Sequence, residues 1–193
     1  MPGELRLTLI VLSFILWLAG IYHRVRSQRT GERLDRTKEG WPILIGLRLS
    51  GLIAVVSAVG CLANAHWMAG TSWPAPMAGR WLGVAGFAGA VVWLLWMFRS
   101  LGRNVTDTVV TRKDAYLVVH GPYRFVRNPM YTGVLVMGLS LGLAMGNWLV
   151  PLATSVVFTL MAIRTRTEEK YLIERFGDRY REYMARVGRF FPR

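Results

Sequence analysis

The sequence predicts an all-α integral membrane protein with about five transmembrane helices, the last two a tight helical hairpin, plus a C-terminal cytosolic amphipathic helix. Three observations carry this. Of the 193 residues, 53% are hydrophobic, and they are gathered into blocks nearly free of charge. Basic residues are confined to alternate connections between those blocks. After Ile163 the chain turns abruptly from apolar to densely charged.

The first block, Leu5–Tyr22, carries one charge, Arg6, and is long enough to cross a hydrocarbon core about 30 Å thick as a helix. An n-region with a single arginine, Arg6, and no small-x-small cleavage pattern after the apolar run argue for a retained span rather than a signal peptide. The connector "HRVRSQRTGERLDRTKEGW" mixes both signs of charge and reads as solvated and partly helical. Pro42–Asn64, whose one charge is Arg48, forms the second span, and the charge-free Trp81–Phe98 forms the third. Trp41, Trp67, Trp73, Trp81 and Trp148 lie near span ends, where amphipathic rings favour the interface.

The fourth block, Met130–Ile163, holds 34 residues without a charge. As one helix it would be about 51 Å long at ~1.5 Å per residue, too long for a single crossing. A turn at Gly146-Asn147, followed by Trp148 and Pro151, divides it into two antiparallel arms; a re-entrant pair is the alternative. Gly83, Gly86 and Gly89 in the third span, and Gly138, Gly142 and Gly146 in the fourth, allow close helix approach in lipid or leave room for an acyl or prenyl tail. Beyond the hairpin, Leu172, Phe176, Tyr180, Tyr183 and Val187 recur at helical steps, predicting an amphipathic helix over 167–187 that Gly177 weakens locally.

The formal charge of +13 follows topology rather than nucleic-acid binding, because 21 of the 24 Lys and Arg fall in 23–41, 99–128 and 164–193. Ala65–Arg80 has only Arg80. The positive-inside pattern places the N-terminus outside and the C-terminus in the cytoplasm, as in a prokaryotic inner membrane, and the basic loops attract anionic membrane lipid. One cysteine, Cys61, excludes an intrachain disulfide, and three scattered histidines (His23, His66, His120) make no metal cluster. Two parts follow: 1–98, three spans with a basic loop, and 99–193, the region carrying chemistry.

Within that second region, "HGPYRFVRNPMYTG" puts three aromatics, two arginines and two prolines at the threshold of the hairpin. A hairpin running from Met130 and back to Ile163 brings "RNPMY" beside "RTRTEE". Arg127, Asn128 and Tyr131 then stand near Arg164, Glu168 and Glu169. Pro122 and Pro129 restrict the approach. Arg164 and Glu168, four apart, share a helix face. An interfacial salt bridge that anchors topology is the plain reading; a pocket for a charged ligand is the functional one.

These blocks resemble the isoprenylcysteine carboxyl methyltransferase family of integral membrane enzymes. The resemblance covers Leu101 onward and rests on "LGRN", "LVVHGPYRFVRNPMYTG", "RTRTEEKYLIERFGDRYREYM" and the terminal "GRFFP". It implies S-adenosyl-L-methionine as methyl donor, held without a Rossmann fold; no G-x-G-x-x-G is present. It further implies cofactor contacts at Ala115, Tyr116, Leu117, Val118, Tyr123, Asn128, Pro129, Met130, Tyr131 and Glu168. Arg164 is implied on the acceptor, so Arg164 and Glu168 are the candidate catalytic pair. Where the family commonly has histidine this chain has Asn128, which cannot become cationic.

The acceptor implied is lipophilic, with a carboxylate borne by a prenylcysteine or another lipid. A carboxylate is already a nucleophile, so the site has mainly to align it. A phospholipid N-methyltransferase, an NADPH-dependent sterol reductase and a small non-catalytic membrane protein are the alternatives. Small residues on the spans permit a dimer without specifying one.

Overall fold

The computed structural model describes residues 2–28, 41–63, 66–102 and 116–193; Ala115, Arg103 and Asn104 of "LGRN", and most of the first basic connector lie outside them. Among the described residues six α-helices follow in order: α1 (Gly3–Gln28), α2 (Trp41–Leu62), α3 (Met77–Leu101), α4 (Pro129–Met145), α5 (Leu149–Phe176) and α6 (Asp178–Arg186). Short 3-10 turns occur at His66–Thr71 and Gly121–Arg124. α1, α2, α3 and α5 are each long and apolar enough to cross a membrane. α4, at 17 residues, is shorter, about 26 Å at ~1.5 Å per residue.

α3 is the central element. Its buried positions Val84, Phe87, Val91 and Leu94 fall at steps of three and four, so one face is continuously covered. That face packs along α4, and α1 joins it through Leu5 and Leu9. α5 lies against both α4 and α2. The opposite faces of α1 and α2 stay apolar and exposed, Phe14, Trp17, Leu52 and Val55 among them, as expected of helices turned toward lipid.

The α4–α5 hairpin turns where the sequence places it. Gly146 takes a left-handed conformation, φ +64°, and closes α4. Asn147 then caps α5, its Oδ1 accepting from the amides of Leu149 (3.0 Å) and Val150 (3.2 Å). Its Nδ2 donates to Thr71 Oγ1, and the amides of Trp73 and Trp148 donate to the carbonyls of Gly146 and Thr71, which docks the 66–76 connection onto the hairpin tip. Arg80, the basic residue of that side, donates to the Ala144 carbonyl at the end of α4.

The arms meet closely because their contact positions lack side chains. A Cβ on Gly138 would strike Thr154, one on Gly142 would strike Pro151, and one on Gly83 of α3 would strike the α4 backbone at Ala144. Helix packing therefore accounts for these three. Gly89 faces open space instead.

The end of the hairpin differs from expectation. A separate helix over 167–187 was expected, whereas α5 runs unbroken to Phe176 and α6 begins only at Asp178. Between Ile163 and Phe176 the chain has no glycine or proline, so the onset of charge changes the helix's surroundings without ending it. Gly177, at φ +58°, makes the break. α6 is strongly amphipathic, burying Tyr180 and Tyr183.

Candidate active site at the basic end of the hairpin

The polar groups collect where α4 begins and α5 carries its charges. Pro129 is the first residue of α4, where its missing N–H costs nothing. Its carbonyl accepts from Trp93 Nε1 of α3 at 2.8 Å, which fixes the start of α4 against the central helix. One turn in, Tyr131 is 4% exposed and its hydroxyl lies 2.7 and 2.8 Å from the two oxygens of Glu168 on α5. Arg164, one turn earlier on α5, brings Nε to 3.0 Å from Glu168 Oε1; that N–H is not aligned for a hydrogen bond, so the contact is an ion pair. The carboxylate thus faces a phenol and a guanidinium, and it remains 17% exposed.

Tyr123, in the 3-10 turn ahead of α4, completes this face. Burial pushes its phenol well above the usual tyrosine value, and the neighbouring Tyr183 phenol and Glu168 carboxylate add to the shift. Tyr183 of α6 donates its hydroxyl to the Tyr123 carbonyl at 2.6 Å, so the turn is held from below by the last helix. Burial likewise raises Tyr183, with Arg127 opposing.

Glu169, the adjacent carboxylate, turns elsewhere. It is 4% exposed and receives Arg127 through Nη2 (2.9 Å) and Nε (3.1 Å), while Arg189 reaches its other oxygen. Arg127 Nη1 also donates to the Met184 carbonyl at 3.0 Å and to that of Val187. Consecutive residues of a helix point about 100° apart. The two glutamates therefore do different work: Glu168 opens toward the tyrosines, and Glu169 binds the loop, α5 and the segment after α6 together.

The structure brings Tyr123, Tyr131, Arg164 and Glu168 into one cluster. Pro129 is buried, with Met130 beside it in the first turn of α4. Asn128 stands just before α4 and spends its amide on the Arg189 carbonyl at 3.1 Å. On the approach, Val118 is buried, Leu117 half-buried and Tyr116 exposed. Ala115 lies outside the described residues. Sequence reasoning placed Arg127 near Glu169 and Tyr183 on the apolar face of the last helix, but it did not single out Arg189, Thr132 or Phe190, nor what Tyr183 touches. "GRFFP" contained the signal for Arg189 and Phe190, but not what they touch.

The bundle of membrane-length helices, with a tyrosine-lined carboxylate at the foot of a helical hairpin, has the fold of an α-helical integral membrane protein. A solved eukaryotic intramembrane Ras methyltransferase, isoprenylcysteine carboxyl methyltransferase, superimposes with a TM-score of 0.54 over 77% of this chain and 51% of that one, at 22% identity. The chain belongs to the phospholipid methyltransferase family, whose model matches residues 78–179, more than half of its length. Among curated relatives it is 37% identical over 94 residues to the protein-S-isoprenylcysteine O-methyltransferase of Schizosaccharomyces pombe, covering 47% of this chain and 40% of the relative. It is 40% identical over 70 residues to the methanethiol S-methyltransferase of Pseudomonas deceptionensis, covering 36% and 26%. The chain thus spans well under two thirds of each. The resemblance to isoprenylcysteine carboxyl methyltransferases read from the motifs is upheld by both kinds of match.

Proposed function

We propose that this protein transfers a methyl group from S-adenosyl-L-methionine to a carboxylate on a lipophilic acceptor of the prenylcysteine kind. The observation that carries the reading is the Glu168 carboxylate set between Tyr131 and Arg164 beside Tyr123. Such an arrangement suits a small ligand with cationic and hydroxyl donors: an anionic acceptor atom, aromatic walls and a partly open face. S-adenosylmethionine supplies an activated sulfonium methyl. Glu168, Tyr123 and Tyr131 would hold it, with Asn128, Pro129 and Met130 at the start of α4 and Ala115, Tyr116, Leu117 and Val118 on the approach.

Arg164 orients the acceptor carboxylate through its guanidinium. Burial raises the Tyr123 phenol, and the Glu168 carboxylate is occupied by Tyr131 and Arg164, so this reading assigns neither of them as a base. An acceptor that arrives already deprotonated fits these residues, and an ammonium does not. In this reading 99–193 carry both contacts, the first three helices hold them in the bilayer, α4 makes a fifth crossing, and the basic end faces the cytoplasm of a prokaryotic cell.

The test is transfer of labelled methyl in membranes with and without the protein, followed by mild base. Methanol release is expected, as from a carboxyl methyl ester. Base-stable label would replace the carboxylate with nitrogen or sulfur. Arg164→Lys, which cannot bind two oxygens in a planar fork, should lose much of the activity while donor binding persists.

A further inference from the structure

The segment after α6 is laid along the threshold of α4 rather than left free. Val126 and Gly188 form a parallel bridge. The carbonyls of Gly188, Arg189 and Phe190 accept in succession from the Arg127 amide (2.8 Å), the Asn128 amide (3.1 Å) and the Thr132 hydroxyl (2.8 Å). Gly188 has no room for a side chain, because a Cβ there would collide with the Phe191 carbonyl. Glu169 fastens the same segment through Arg189. The Phe190 ring is thereby delivered between the hairpin arms, 6.4 Å from Tyr131 and 5.2 Å from Phe158.

We propose that Gly188–Phe190 is a positioning element of the donor site. It acts through Tyr131. A phenol that donates to both oxygens of one carboxylate must keep its ring orientation, and Phe190 packs against the ring that sets it. Thr132, the next residue of α4, is tied to the Phe190 carbonyl, so backbone and ring restrain the same turn. The adjacent glutamates of α5 then act in concert, Glu169 locking the strap and Glu168 facing the ligand. This inference rests on the donor assignment made above.

Equilibrium binding of labelled S-adenosylmethionine to the full chain in lipid nanodiscs, with thermal unfolding of the same samples, tests it. Phe190→Ala should raise the donor Kd about tenfold, in the range set by a misdirected charge-assisted hydrogen bond. Phe190→Tyr, which keeps the ring, should bind as the wild type does. Asn147→Ala, at the opposite end of the hairpin, should lower Tm at least as far while leaving Kd unchanged. Unchanged affinity in Phe190→Ala would overturn the proposal, and so would affinity that simply follows Tm across all three variants. A wild-type chain that binds no donor would overturn the donor assignment itself, and this inference with it.

Discussion

Glu168 and Glu169 are neighbours of identical chemistry, and the difference between them lies in what their helix faces. Glu169 is buried with Arg127, their side chains 6% and 7% exposed, so removing its charge leaves a guanidinium without its counter-ion in low dielectric. Glu169→Gln should cost about 3 kcal/mol, the lower end of what breaking a buried pair costs, measured as the fall in unfolding free energy in detergent. No loss would mean that the clamp is dispensable. The tyrosines make a second, opposite-signed case. Tyr180 is raised chiefly by burial, with Glu169 adding and Arg127 opposing. An acid whose folded value lies above its unfolded one contributes stability in full below pH ~10, and that contribution falls as pH rises further. The tyrosine contribution should therefore be flat from pH 6 to 9 and drop above 10, and Tyr180→Phe should reduce the alkaline slope by up to about 1.4 kcal/mol per pH unit; an unaltered slope would mean that Tyr180 ionises freely in the fold. The Arg164–Glu168 pair was legible because i,i+4 spacing is local. Glu169's partners lie 42 and 20 residues away; the hairpin brought Arg127 into its neighbourhood, but nothing local announces Arg189.

At the scale of elements, the hairpin was readable from its own residues. A block of 34 uncharged residues cannot cross once, and Gly146-Asn147 is the one place within it suited to a left-handed turn and a cap. The end of α5 was misread because charge was taken as a helix boundary. Charge says where the membrane ends; glycine and proline say where the helix ends, and the first of these after Ile163 is Gly177. Small residues required the structure to interpret. Gly138 and Gly89 look alike in sequence, but only Gly138 lies under a neighbouring helix. Gly138→Val should push the arms apart at Thr154, lowering Tm by several degrees, whereas Gly89→Ala should leave it unchanged or slightly higher through helix propensity. Equal effects at the two positions would show that α4 and α5 tolerate separation at that level.

At the scale of the whole molecule, the charge asymmetry and the position of the site form one constraint. The polar cluster stands at the hairpin end formed by 116–128 and the charged part of α5, and the stretches 99–128 and 164–193 of the sequence hold 15 of the 24 Lys and Arg. The other end is sealed by Asn147, Thr71 and the 66–76 connection, with Arg80 spent on a helix carbonyl. Under the function proposed above, a lipophilic acceptor would reach the site sideways from the bilayer, but a polar, charged methyl donor cannot cross lipid and would arrive from the side on which it is made. The proposed donor site works only if the basic end is cytosolic, which is also what the positive-inside bias predicts. The two arguments are independent, one from chemistry and one from insertion, and a single experiment tests both. In a Cys61→Ser background, Trp67→Cys on the 66–71 turn should react with a membrane-impermeant maleimide on intact cells, whereas Arg181→Cys on α6 should react only after permeabilisation. The reverse pattern would put the tyrosine cluster on the side away from the donor, and a methyltransferase role at that cluster would then have no supply of methyl groups.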